Sequence, residues 1–325
     1  MDIWWKRTAC YFCWAAAVAA QELPLPEKDP AEEQLRLQIY LDQQQFRPGK
    51  LDGRQGEFTE KALVRAARAR GLTMEQIRRQ AEAKVPILYQ EYEVRATDLE
   101  FVRPVPEEPE AMAAEKFLAY RSLGEMIAER YHTDLDYLKG LNARVDMDHL
   151  QVGAKVMVPA VPAFPIEVSF PDVNLLGPAT MAHVPIGEPS VARAVTVDRA
   201  ERILEVWEGE KLIASFPVSV GPPENETPAG EHTIKSLTYQ PTFRYDKKML
   251  KEGVRGEEAK VLPPGPNNFV GVLWIQLSQD GIGIHGTNDP DLIGRNVSSG
   301  CIRMSNWDVV TFAGLIAPGT KVTVH

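Results

Sequence analysis

The chain is poor in cysteine, in basic charge and in long apolar runs, and each shortage closes off a class of function. Only three of its 325 residues are Cys, at positions 10, 13 and 301. Nowhere do His, Cys, Asp and Glu gather at metal-ligand spacing, so no metal is expected. No Walker or dinucleotide loop is present, so no nucleotide cofactor is expected either. With 36 Lys and Arg against 45 Asp and Glu the formal net charge is −9, which argues against a nucleic-acid partner. Past the N-terminal segment no stretch approaches the ~20 apolar residues that cross a bilayer. Pro (25) and Gly (23) are plentiful, which points to linkers and a loop-rich β domain.

What is there begins at the N-terminus. Lys6 and Arg7 precede a mostly apolar run from Thr8 to Val18, and small residues follow at Ala17, Ala19 and Ala20. This pattern predicts a secretory signal peptide over residues 1–20, hence export to the periplasm or cell wall, with an uncleaved anchor as the alternative. Cys10 and Cys13 lack the preceding small and aliphatic residues of a lipid-attachment site. Removing the signal leaves Cys301 as the sole thiol. A lone thiol outside the cytoplasm is either a reactive group or a buried structural Cys.

After a Pro-rich spacer, helical periodicity sets in at 31–46, with Leu35, Ile39 and Tyr40 on one face. The cluster Pro48-Gly49-Lys50-Leu51-Asp52-Gly53 predicts a turn, Phe58 and Thr59 open a second helix that Gly71 ends, and Thr73 with Gln76 caps a third. Residues 85–114, which include the run VRPVPEEPE, read as a linker. In 115–160, Ser122 with Glu125 forms a capping-box pattern, Thr133 starts a further helix, and Lys155–Pro159 is a strand. A second connector spans 161–190. From 191 to 325 the pattern is β, with strands at 194–197, 202–207 and 212–218 and apolar runs at 269–277 and 321–325. Ser305 and Asp308 form an S-x-x-D cap before one late helix. The fold class is therefore a mainly β domain preceded by small α-helical modules.

The densest segment is GIGIHGTNDPDLIGRNVSSGCIRM (281–304), in which His285 lies 16 positions before Cys301 and both are flanked by Gly. A free thiol of pKa ~8.5 is mostly protonated at neutral pH, and an adjacent imidazole can take that proton. Backbone N–H groups at Gly300 and Cys301 are candidate donors to an oxyanion. The remaining histidines are less informative. His132 and His149 are expected at the surface, and His232 is a candidate for the cleft wall.

Three ordered motifs resemble the catalytic domain of the L,D-transpeptidase (YkuD-like) family. They are Thr227-Pro228-Ala229-Gly230 after Val220-Gly221, Pro263-Pro264-Gly265-Pro266-Asn267-Asn268, and His285-Gly286-Thr287 followed by Ser298-Ser299-Gly300-Cys301-Ile302-Arg303. Phe269 and Val270 replace the family's usual Pro-Leu. Ser299 stands where many members carry a second His, which leaves His285 alone as base. The resemblance covers 191–325 and implies a β-sandwich-like fold with Cys301 as nucleophile and His285 as general base and acid. It also implies Gly300 in the oxyanion hole and Arg303 orienting the site or holding a substrate carboxylate, with a structural salt bridge as the alternative for Arg303. Ser299, Gly286 and Thr287 line the same site. The implied substrate is the stem peptide of peptidoglycan, the implied intermediate is a thioester, and the products are 3–3 cross-links or position-four exchange and anchoring. An L,D-carboxypeptidase or a non-catalytic peptidoglycan-binding protein is the alternative. Residues 37–72, with their D-G-x-x-G turn, resemble the small helical peptidoglycan-binding domain. LGEMIAERYHTDLDYLKGLN and LQVGAKVMVP resemble a LysM domain, without the Gly-Asp pair that usually precedes its first helix, and imply a βααβ (LysM-like) module over 115–160.

Overall fold

The computed structural model describes residues 29–169, 190–248, 254, 256–295 and 300–325. The signal segment, most of the 161–190 connector and Ser299 lie outside them.

Three helices form the first unit: α1 (Pro30–Gln43), α2 (Glu57–Arg70) and α3 (Met74–Lys84). Each end has a local cause. The Asp29 side chain accepts from the Ala31 N–H, Gly71 closes α2 at φ 62°, and Thr73 with Gln76 makes a reciprocal capping box. Leu35, Ile39 and Tyr40 are fully buried, as their spacing predicts. The turn between α1 and α2 is fastened by Gln38, whose Oε1 accepts from the N–H groups of Asp52 (3.1 Å) and Gly53 (2.9 Å).

The stretch expected to be a linker, 85–114, is instead structured. It holds β1 (Tyr89–Glu93), a 3-10 turn at Ala96–Phe101 and the short helix α4 (Pro109–Met112). Strand β1 pairs antiparallel with β2 (Lys155–Pro159), and between them lie α5 (Leu123–Arg130) and α6 (Leu135–Leu141). Ser122 caps α5 through the Glu125 N–H, but the Glu125 carboxylate turns to the Arg121 N–H, so only half of the expected box forms. The cap of α6 is Asp134 rather than Thr133.

The remaining residues form an eight-stranded sheet. Its strands are β3 (Arg193–Asp198), β4 (Ile203–Glu208), β5 (Lys211–Pro217), β6 (Gly230–Tyr239), β9 (Leu273–Leu277), β10 (Gly283–His285), β11 (Ile302–Arg303) and β12 (Lys321–Val324). They are ordered β11-β10-β9-β6-β12-β3-β4-β5, while β7 (Phe243–Tyr245) and β8 (Lys260–Leu262) make a separate hairpin. A sheet edge exposes unpaired backbone groups. At the β5 edge the helical unit covers them: the Arg47 N–H donates to Ser215 O (2.8 Å) and the Ser215 N–H to Gln45 O (3.0 Å).

Helix α7 (Asn306–Ala313), capped by Ser305, packs on β9 and β10. Its first three residues are each met by an N-terminal unit. The Asn306 amide donates to Glu129, the Trp307 indole stacks on His132 (5.7 Å, 11°), and Asp308 lies 3.5 Å from Arg47. His132 is thus buried rather than at the surface, because its ring fills the gap between Trp307 and the Asp42 carboxylate 3.0 Å away. Arg47 also pairs with Asp42, so the junction of the units is a buried charge network.

Candidate active site

The sheet brings the two ends of the 281–304 segment together. Strands β10 and β11 are parallel neighbours, with Ile284 opposite Ile302 and His285 opposite Arg303. Side chains alternate along a strand, and those of paired residues share a face. Ile284 and Ile302 are both fully buried and fix the register from the core side. His285 and Arg303 then share the opposite face, with Cys301 one step before β11. The Gly283 backbone reaches the Cys301 side chain.

His285 is oriented by three contacts. Its backbone carbonyl accepts from the Met304 N–H (2.8 Å), and its ring stacks on Trp274 of β9 (5.4 Å between centroids, 15° between planes). Its Nδ1 lies 2.6 Å from Gly286 O. A carbonyl oxygen can only accept, so Nδ1 carries the proton and Nε2 of the neutral ring keeps its lone pair. Burial, and then the Arg303 cation, lower the His285 pKa to about 3. The ring is therefore neutral in the resting site and free to take a proton.

Part of Cys301 reaches solvent, while its sulfur is packed deeply enough that burial raises the thiol pKa; the Gly283 backbone and Arg303 work against that rise. Its Sγ contacts Gly281 O at 3.5 Å. The resting pair is thus a thiol and an imidazole, not a thiolate and an imidazolium. Gly300 precedes it at φ 97°, a conformation that favours glycine. A side chain there would meet Ile282 at 3.4 Å and the carbonyls of Asn225 and Glu226 at 3.8 Å. The loop between the Val220-Gly221 and Thr227-Pro228 motifs therefore packs against the turn that carries Cys301. Thr227 holds that loop by accepting from the Gly221 N–H (3.0 Å).

Arg303 enters no salt bridge among the described residues, and its buried Nε has no hydrogen-bond partner there. That leaves a guanidinium N–H without a partner among the described residues. Burial lowers its pKa, opposed by Cys301 and Asp289. Thr287 is buried and accepts from the Asp289 N–H (3.1 Å), and the Gly286 N–H donates to Leu273 O (3.1 Å); both shape the strand end and neither points a side chain at the thiol by any observed contact. Ser299 lies outside the described residues. His232 is buried, and its Nε2 lies 3.1 Å from Pro228 O, which makes it a brace for the Thr-Pro turn.

Sequence reasoning missed Trp274, Asn306 and Glu129. Asn306 Oδ1 accepts from the Val272 N–H (3.2 Å) and occupies the space beside Gly271 and Gly286, where an added Cβ would come within 2.1 and 2.2 Å of it. The S-x-x-D pattern announced the helix start but not this contact. Among the described residues no group of three or more His, Cys, Asp or Glu is arranged to hold a metal.

Comparison with known proteins gives a consistent picture. The family model for the L,D-transpeptidase catalytic domain, YkuD, matches residues 192–324. A Bacillus licheniformis protein named as an L,D-transpeptidase, YkuD, is 35% identical over 130 residues, which is 40% of this chain and 64% of that protein. The Bacillus subtilis protein YqjB, also named as an L,D-transpeptidase, is 32% identical over 135 residues, 40% of this chain and 69% of its own length. The match to ErfK/SrfK of Salmonella typhimurium is longer, 27% identity over 206 residues, 62% of this chain and 58% of that protein. This chain therefore spans under two thirds of the first and last of these relatives. Among solved structures, an L,D-transpeptidase from Mycobacterium smegmatis aligns with a TM-score of 0.33 at 19% identity, over 41% of this chain and 58% of that one.

Proposed function

The chain belongs to the L,D-transpeptidase catalytic domain (YkuD) family, and from that membership we propose that it is an exported cysteine acyltransferase acting on peptidoglycan stem peptides. The observation that supports this reading is the parallel β10–β11 pair, which sets His285 opposite Arg303, two positions after Cys301.

In the proposed reaction Cys301 Sγ attacks the carbonyl carbon between residue three of the stem, a diamino acid, and the D-alanine at position four. The thiol proton passes to His285 Nε2. The N–H groups of Gly300 and Cys301 stabilise the oxyanion. The C–N bond breaks as His285 returns the proton to the departing D-alanine amine, leaving a tripeptidyl thioester on Cys301. The side-chain amine of a neighbouring stem then attacks the thioester carbon, loses a proton to His285, and expels the thiolate, which recovers that proton. Because imidazolium formation is opposed by burial and by Arg303, proton transfer and C–S bond formation are coupled rather than sequential. Arg303 offers its fork to a substrate carboxylate.

The pairing of β1 with β2 around α5 and α6, with α4 inserted after β1, supports a LysM-like module, and the α1–α3 unit with its Asp52-Gly53 turn supports a peptidoglycan-binding-like one. Both favour a wall substrate. Their packing on α7 makes them a fixed platform for the catalytic face rather than a flexible tether.

The test is digestion of purified sacculi with the mature chain, read by mass spectrometry beside Cys301→Ala. New 3–3 dimers and loss of D-alanine in the wild type alone support a transpeptidase. Tripeptides without dimers make it a carboxypeptidase. Binding without any change in either sample makes it a peptidoglycan-binding protein and overturns the reading.

A further inference from the structure

The α5 helix, outside the catalytic domain, sends one carboxylate into it. Glu129 is buried and stands at the end of a chain of contacts that leads to the base. Tyr120 Oη donates to its Oε1 (2.6 Å), and Asn306 Nδ2 reaches both oxygens, at 3.2 and 3.1 Å. The other end of the Asn306 amide, Oδ1, accepts from Val272 N–H and lies between the backbones of Gly271 and Gly286. Gly286 in turn supplies the carbonyl that sets the tautomer of His285.

The two ends of an amide are chemically opposite, so its orientation is decided by what faces each. Val272 presents a donor and demands the oxygen. Burial pushes the Glu129 carboxyl up to about 8; ionised or protonated, it keeps an oxygen that accepts toward Asn306 and so demands the NH2. Without Glu129 the sole remaining acceptor for Asn306 Nδ2 among the described residues is Pro266 O at 3.5 Å, at the limit of a hydrogen bond. A turned amide would set its NH2 against the Val272 N–H and crowd Gly286.

We propose that Glu129 is a positioning residue for the general base: by fixing the Asn306 amide it holds the Gly271 and Gly286 backbones, and with them the His285 ring, in the reactive arrangement. The assignment rests on the reading of Cys301 and His285 given above. It makes the N-terminal units part of the catalytic apparatus, since the carboxylate that sets the base arrives from 177 residues upstream of its partner.

The experiment uses the full chain and two substitutions, Glu129→Gln and Glu129→Leu. The isosteric amide keeps the volume and can still turn its oxygen to the Asn306 NH2, with its own NH2 on Tyr120 Oη; leucine removes both acceptors. Two rates are measured from about pH 5 to about pH 9, acylation of Cys301 by a penem β-lactam and alkylation by iodoacetamide, with thermal unfolding followed in parallel. The expected result is penem acylation slowed about tenfold to a hundredfold in folded Glu129→Leu, with the pH profile displaced and Glu129→Gln close to the wild type, because misplacing a base by about 1 Å costs on that order. A wild-type rate and profile in folded Glu129→Leu would overturn the proposal, and so would a Glu129→Gln as slow as Glu129→Leu. So would a slowing that merely tracks the lost folded fraction with the profile unmoved. If Glu129→Leu does not fold, Asn306→Ala, which removes the amide that relays the contact, decides by the same outcomes. Should the wild type be alkylated by iodoacetamide but never acylated by the penem, the acyltransfer reading fails instead, and the alkylation profiles of the variants still report on Glu129.

Discussion

His285 and Cys301 rest as a neutral pair, and this state has consequences that can be measured. General base catalysis contributes roughly 10²–10⁴ in rate. His285→Gln is therefore expected to lower kcat/KM by about that factor with KM little changed, in steady-state assays on a tetrapeptide, while Cys301→Ala has no activity. The depressed His285 pKa also sets a stability trend. An unfolded His titrates near ~6.5, whereas the folded one titrates at about 3. Between those values the unfolded chain binds more protons, so this residue's contribution to stability is present above about pH 6.5 and is lost as the pH falls toward about 3. Urea titrations at a series of pH values should show this slope in the wild type and not in His285→Gln; parallel slopes would refute it. At this scale the sequence was legible where chemistry is written locally. Gly300-Cys301 and His285-Gly286 lie in one short segment, and the side chain types state their roles. Trp274 and Glu129 were not legible, because a ring on the neighbouring strand and a carboxylate from another unit carry no local signature.

Helix α7 is the element on which the account turns. Its Ser305 cap accepts from the Asp308 N–H (3.2 Å), and Ser305→Ala should cost about 1 kcal/mol in urea denaturation. A larger effect is expected one contact away. Burial pushes the Asp308 carboxyl up to about 6, against the pull of Arg47. Burial would also raise Asp42, but Arg47 and His132 overcome it and hold that carboxyl below its usual range. Arg47→Met strands both carboxylates, and removing one partner of a buried pair costs about 3–5 kcal/mol. A loss under ~1 kcal/mol, the range of exposed pairs, would show that the network is not a buried one. The capped helices were readable because Thr73, Ser122 and Ser305 precede their helices directly and Gly71 follows one. Strand β1 was not, since its five residues find their partner only at 155–159, across three helices, and the Pro/Glu run that follows it has the composition of a linker. His132 misled for a related reason. Nothing local to a polar residue tells that Trp307 and Asp42 will enclose it.

The whole molecule is built around that helix. The α1–α3 unit seals the β5 edge and sends Arg47 to Asp308, while the α5–α6 unit sends Glu129 to Asn306 and His132 to Trp307. The active-site loop is clamped from outside as well. Lys50 pairs with Asp291, and the Phe58 ring fills the space beside Gly294. Unfolding of the described units should thus be a single transition by both calorimetry and near-ultraviolet circular dichroism. The separate fragment 190–325 should be markedly less stable and less readily acylated than the full chain; two well-separated transitions with an intact, active fragment would contradict this. Such coupling was invisible in sequence, where polar residues at an interface look like any solvated face. The change from helical to β periodicity near residue 191 was legible, because the two hydrophobic periods differ.

The central claim is that Cys301 carries the acyl group. The most direct measurement is intact mass spectrometry of the full chain after brief mixing with a disaccharide-tetrapeptide and acid quenching. The account predicts a tripeptide-derived adduct on the peptide containing Cys301, with D-alanine released, and neither in Cys301→Ala. Release of D-alanine by Cys301→Ala at the wild-type rate, with no adduct in either protein, would contradict it.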